Sequence, residues 1–170
     1  MPFEDTFDAA LKPEWEILEG DWRIVNDRLS TISRKSEWSH MLVGEPSWRN
    51  YAVEVDASLG RHHQEVRVIV RAQDRDNMVA FIASHYGESG WWLKTDGEWH
   101  LLSKGGGVDS SVKIRVEVKD DVYIAYVDGQ RRLSIDDSTF GTGRAGLGLY
   151  CDSDSNCNSL DNFKVEPLPH

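Results

Sequence analysis

Hydrophobic and polar residues alternate with period two along most of this chain. SVKIRVEV sets Val112, Ile114, Val116 and Val118 against Lys113, Arg115, Glu117 and Lys119. That is the pattern of a strand with one face buried and the other wet. QEVRVIVRA places Val66, Val68 and Val70 opposite Arg67, Ile69 and Arg71, and NMVAFIASHY, DVYIAYV and RAGLGLY continue the style. Turn signals separate these runs: NDR, QDRDN, TDGE, KDD, VDGQ and FGTGR. Asp-Gly pairs such as Asp96-Gly97 and Asp128-Gly129 favour two-residue hairpins, because glycine accepts positive φ without steric cost. Only DTFDAALKPEW, before Pro13, has room for a short helical turn. Counting the runs predicts about eleven to thirteen strands, folded as one antiparallel β-sandwich over residues 1–170.

Composition suits that reading. The 170 residues are 39% hydrophobic and 28% charged, enough for one domain with a full core. No apolar run reaches the roughly 20 residues that cross a bilayer as a helix, so membrane insertion is not expected. A net charge of −10 with scattered arginines opposes binding to nucleic acid, which needs clustered cations. The start, MPFEDTFDAAL, lacks the basic and apolar segments of a secretory signal, which leaves a cytoplasmic or viral protein, or a mature domain with a new Met. Cys151 and Cys157 lie close enough in sequence for a disulfide across a turn or for two free thiols.

The order of motifs carries a resemblance. FEDTF, EWEILEGDWRIVNDRLST, SWRNYAVEVDASL, VRVIVRAQDRDNMVAFI, WWLKTDGEWHLLSK, VKIRVEVKDDVYIAYVDGQ and GRAGLGLYCDSDSNCNSLDNFKVEPL together resemble the concanavalin A-like lectin/glucanase jelly roll. Within it they most resemble non-catalytic carbohydrate-binding and laminin-G-like modules, and the related 3-keto-disaccharide hydrolase domain. In W-x-I-x-x-G-D-W-x-I-x-x-x-x-L, Trp15, Trp22, Ile24 and Leu29 alternate into a shared core as two antiparallel strands would require.

The resemblance implies a structural calcium ion. An aspartate at the start of the last strand would bind it, with carbonyls near the N-terminus and from an early hairpin. The matching positions are Asp161, the FEDTF segment at Asp5 or Thr6, and the NDR turn at Asp27 or Arg28. Calcium takes about six to eight hard oxygens and accepts carbonyls readily. Without an ion, Asp161 would accept hydrogen bonds from backbone N–H groups of the N-terminal strand.

Catalytic signatures are weak. The glucanases of this superfamily align three acids on one strand, and Glu54-Val55-Asp56 lacks the third; retaining chemistry needs two carboxyls about 5 Å apart. His62-His63 sits in a polar loop, and no nucleophile elbow, P-loop or zincin motif occurs.

Seven tryptophans leave rings to spare for a ligand. Trp15, Trp22 and Trp48 fit core positions. Trp91 and Trp92 are adjacent and so must face opposite ways on a strand, which sends Trp91 with Leu93 inward and Trp92 with Lys94 outward. Sugars stack their C–H faces on exposed rings beside planar polar groups. Arg71, His85, Trp92, Trp99 and Tyr150 form the expected ligand surface for a glycan or polysaccharide. The alternative for this surface is a ladder of stacked side chains that binds nothing. The expected function is therefore a non-catalytic, lectin-like carbohydrate-binding domain, at the cell surface or outside the cell and within a larger chain or assembly. Its rivals are an adhesion domain that binds protein, and a glycoside-active hydrolase.

Overall fold

The computed structural model describes residues 1–31, 37–60, 65–85, 87–151 and 158–169. Among them there are fifteen strands and no helix. Beyond Asp5, the DTFDAALKPEW segment is loop and turn between β1 (Phe3–Asp5) and β2 (Glu16–Glu19).

One sheet follows the order β13 (Gln130–Asp136), β12 (Val122–Val127), β11 (Ser111–Lys119), β6 (Tyr51–Ser58), β15 (Ser159–Pro167), β4 (Arg28–Thr31), β3 (Trp22–Val25), with β1 added along β15. The other follows β10 (Glu98–Lys104), β9 (Gly90–Thr95), β8 (Asn77–Ser84), β7 (Glu65–Asp74), β14 (Arg144–Cys151), β5 (Glu37–Val43), β2. Every pairing is antiparallel. The eight-stranded and seven-stranded sheets bury their inner faces against each other in a jelly roll.

The alternation translates directly into this sandwich. Val112, Ile114, Val116 and Val118 face Val66, Val68 and Val70 in one core with Phe81, Trp91 and Tyr123. Trp91 is fully buried and packs its ring against Phe81 and Tyr123. Its indole N–H donates to the Leu133 carbonyl at 3.1 Å, so the one polar atom on this large ring is satisfied. Asp96 and Asp128 take positive φ ahead of Gly97 and Gly129, as two-residue hairpins with the twist of the flanking strands require.

Two local departures from alternation matter for function. Trp15 and Trp22 are both core residues, but their segments are not one hairpin: β2 pairs with β5 in one sheet, and β3 pairs with β4 in the other. Gly20, at positive φ, carries the chain between them, where a side chain would strike Ser39. The second departure is a bulge in β7 between Val70 and Asp74. It sets Arg71 at φ 52 and changes which way that side chain points.

Arg71 is fully buried. Its guanidinium donates to the carbonyls of Phe140, Arg49 and Asp120 (Nη1 to Phe140 at 2.5 Å; Nη2 to the others at 2.9 Å) and lies 5.8 Å from the Tyr123 ring. The Tyr51 hydroxyl accepts from the Arg71 backbone N–H at 2.8 Å and donates to the Gly143 carbonyl at 3.0 Å. Arg71 therefore pins loops at one end of the sandwich and does not belong to a ligand surface.

At the opposite end, buried Asn158 ties three strand ends together. Its side-chain amide donates to the carbonyls of Glu65 and Tyr150, and its side-chain oxygen accepts from Gly60 N–H.

Candidate functional site

The outer face of the seven-stranded sheet holds the arrangement with most chemical character. On β5, Ser39, Met41 and Val43 point inward, so Trp38, His40 and Leu42 point out. On β7, Arg67 and Ile69 point out between inward valines. On β14, Ala145, Leu147 and Leu149 fill the core, which leaves Gly146, Gly148 and Tyr150 on the outer side. Gly148 is in register with both His40 and Arg67. A Cβ there would come within 2.8 Å of the His40 ring and 3.1 Å of Arg67 Cβ. The glycine opens the gap through which the two flanking side chains touch.

Arg67 Nη1 lies 2.8 Å from His40 Nε2. A guanidinium only donates, so Nε2 must accept and the imidazole proton sits on Nδ1. That Nδ1–H donates to the Glu19 carboxylate. Burial pushes the His40 pKa down, and the Glu19 partner only partly offsets it. Glu19 is held below its usual range chiefly by the His40 hydrogen bond. The result is a relay of carboxylate, neutral imidazole and guanidinium across β2, β5 and β7.

Aromatic rings enclose that relay. The Arg67 guanidinium lies 3.5 Å from the centroid of Trp38 and 4.3 Å from that of Trp99, so indoles cover it from two strands far apart in the sheet. Trp38 stacks near-parallel on His40 and packs on Tyr150 at 5.4 Å. Trp99 also takes the Lys94 ammonium at 5.4 Å and covers an apolar floor of Leu42, Ile69, Ala72, Met78 and Ala80. Cation–aromatic contacts of this kind strengthen when water is excluded.

Of the residues expected from sequence, Trp99 lies in this cluster, Tyr150 borders it through Trp38, and Trp92 occupies the same face opposite Ala80 and Leu101. Trp92 and Lys94 point outward and Trp91 inward, as adjacency requires. Arg71 is elsewhere, for the reason given above. His85 follows the end of β8 and contacts the Val108 carbonyl through Nδ1 at 2.7 Å, which places it in the loop end. Arg67, Trp38, His40 and Glu19 complete the group. Their signal was EWSHMLV, where Trp38 and His40 alternate with inward residues, set beside the glycine alternation of GLGLY.

The two carboxylates of the expected calcium set, Asp5 and Asp161, face opposite sides of the sheet. Asp5 is 4% exposed and faces the core beside Phe163. Its carboxylate accepts from the backbone N–H of Phe7 and Lys12 and from the Trp15 indole N–H. Asp161 lies at a bulge in β15 that turns it to the opposite face of the sheet, in register with Asp56. There it accepts from Asn162 N–H, and Arg28 Nη1 lies 3.7 Å from it. Arg28 also donates to the Ser159 hydroxyl. The Asp5 carboxylate is thus engaged by N–H donors and that of Asp161 faces a guanidinium, and among the described residues no group of three or more His, Cys, Asp or Glu is gathered as a metal site. The ends of the chain meet instead through β1 and β15, where Phe3, Trp15 and Phe163 pack ring on ring.

Glu54 and Asp56 lie on the outer face of the other sheet, where Lys113 approaches both and Arg115 joins Glu54, Glu117 and Glu166. They are an ion-pair network far from the rings. His62, His63 and Cys157 fall outside the described residues, and so does the disulfide expectation.

No protein-family model matches the chain, and no curated protein matches it in sequence. Solved structures do match in shape. The carbohydrate-binding module CBM66 of Bacillus subtilis superposes with a TM-score of 0.72 at 16% identity, covering 88% of this chain and 91% of its own. The exoplasmic/lumenal domain of VIP36, in its Ca2+/Man-bound form, gives 0.73 at 12% identity, over 99% and 90%. The chain has the concanavalin A-like fold. Bacillus licheniformis β-glucanase shares it at 0.71 and 10% identity, over 99% and 98%.

Proposed function

We propose that this is a carbohydrate-binding domain whose ligand lies across the outer face of the seven-stranded sheet. The observation that carries the reading is the set of half-buried rings on one face, Trp38, Trp92, Trp99 and Tyr150, two of which, Trp38 and Trp99, cover a buried guanidinium. Apolar C–H faces of sugars stack on such rings, and a few fixed polar groups orient the hydroxyls. The shape shared with a carbohydrate-binding module and with the Ca2+/Man-bound exoplasmic/lumenal domain of VIP36 supports the same reading.

Binding without chemistry suits the carboxylates present. Hydrolysis of a glycoside uses one carboxyl as an acid and a second as base or nucleophile. Glu19 is held ionised and engaged by His40, so it is poorly placed to donate a proton. The fold tolerates either use.

A glycan array followed by tryptophan fluorescence titration tests this. Trp38→Ala and Trp99→Ala should each weaken binding at least tenfold while the circular dichroism spectrum stays that of a β-sandwich. Positive glycan signals that survive both substitutions would overturn the assignment of the face.

A further inference from the structure

Arg67 is held in an unusual state for a buried arginine. It is 8% exposed, yet among the described residues no carboxylate lies within ion-pair distance of it. The other well-covered arginines have more partners: Arg115 has three glutamates, Arg144 has Glu16, and Arg71, whose Nε–H is likewise unpartnered, has three carbonyls. Arg67 has one hydrogen bond, to the neutral Nε2 of His40, and its Nε–H is buried without any partner. Glu19, the nearest acid of the relay, is turned to His40.

A buried charge with no ion pair in reach, drawn only at longer range by Glu65 and Glu19, is costly, and a donor without an acceptor adds to that cost. Indoles cover the flat faces of the guanidinium. What stays unused is its edge, where Nε–H and an Nη–H point the same way in one plane. That fork matches the two oxygens of a carboxylate. Lys94 shares the Trp99 ring, with its ammonium donating to the Arg75 carbonyl and 4.0 Å from Asp76.

We propose that the saccharide bound here is acidic, and that its carboxylate docks side-on against the free edge of Arg67. This rests on the carbohydrate reading and narrows it to uronate-containing chains. The side chains over Nε must shift as the carboxylate arrives, because Nε is buried in the structure. The local site thus selects for a charge that the net −10 of the chain would otherwise repel.

The test uses the wild-type chain and matched pairs of oligosaccharides: oligouronates of galacturonic, glucuronic and mannuronic acid, and the methyl ester of each. Calorimetric titration should show at least one acid binding tenfold or more tighter than its ester, with affinity falling as salt rises. Arg67→Gln should abolish the acid preference, and Arg67→Lys, which keeps the charge but loses the fork, should reduce it. Esters binding as well as their acids would overturn the proposal and leave the carbohydrate reading standing, as would a neutral glycan that binds when no uronate does. Failure of every glycan, neutral or acidic, would remove both.

Discussion

Arg67 and His40 meet across β14, with Gly148 in register between them and 2.8 Å separating Nη1 from Nε2. A Cβ at position 148 would crowd both side chains, at 2.8 Å from the imidazole and 3.1 Å from Arg67 Cβ, so a glycine on a middle strand shapes what the outer face can do.

Gly148→Ala should therefore damage the site before the fold. The new methyl meets the imidazole at 2.8 Å, closer than two such atoms can approach. Overpacking of this kind costs about 1–3 kcal/mol. Urea denaturation should register that loss, and glycan affinity should fall together with it. An unchanged midpoint and unchanged affinity would show that His40 and Arg67 need no such gap.

Acid should weaken the protein through His40. Its folded pKa lies below the ordinary 6.5 because burial disfavours the cation, so the unfolded chain takes up the proton first. Stability is intact above about pH 6.5 and falls as pH drops towards the folded value. Below 4.5, Glu19, whose folded pKa is also lowered, adds to the loss in the same direction. His40→Gln should flatten the decline as pH falls below 6.5, measured as the midpoint of chemical denaturation. Equal slopes for the two proteins would refute the neutral relay.

Arg71→Met keeps most of the volume and removes all the donors. The carbonyls of Phe140, Arg49 and Asp120 would then lack their partners, and a loss of about 3 kcal/mol is expected. For a domain of this size that lowers Tm by about 6–12 °C. Glycan binding by the surviving folded fraction should be unchanged. A selective loss of binding would return Arg71 to the ligand surface.

Chelator should leave Tm where it is. Asp5 is engaged by N–H donors and Asp161 by Arg28, so closure of the two chain ends is expected to depend on hydrogen bonds and edge-packed rings. Asp5→Ala should destabilise by about 1–3 kcal/mol, the cost of orphaning buried donors, and calcium should not restore the loss. A Tm that rises with added calcium and falls with chelator would instead establish the ion that the family resemblance implies.

Much of the architecture was legible along the chain. Valine alternation in β7 and β11 told which side chains were buried, Asp-Gly pairs marked hairpins, and the Trp91-Trp92 pair split as adjacency demands. These are local matters: period two and turn chemistry act over a few residues. Bulges broke the reading where parity slipped. One sent Arg71 from the outer face into the loops, and another put Asp161 on the opposite side of its sheet from Asp5.

What only the tertiary structure decided was the company each outward residue keeps. Glu19, His40, Arg67 and Trp99 come from four strands distant in sequence, and strand order is set by non-local packing of the two sheets. No spacing along the chain encodes that Trp38 and Trp99 close on the same guanidinium. The sequence determined which faces exist; the pairing of strands determined which charges and rings share one.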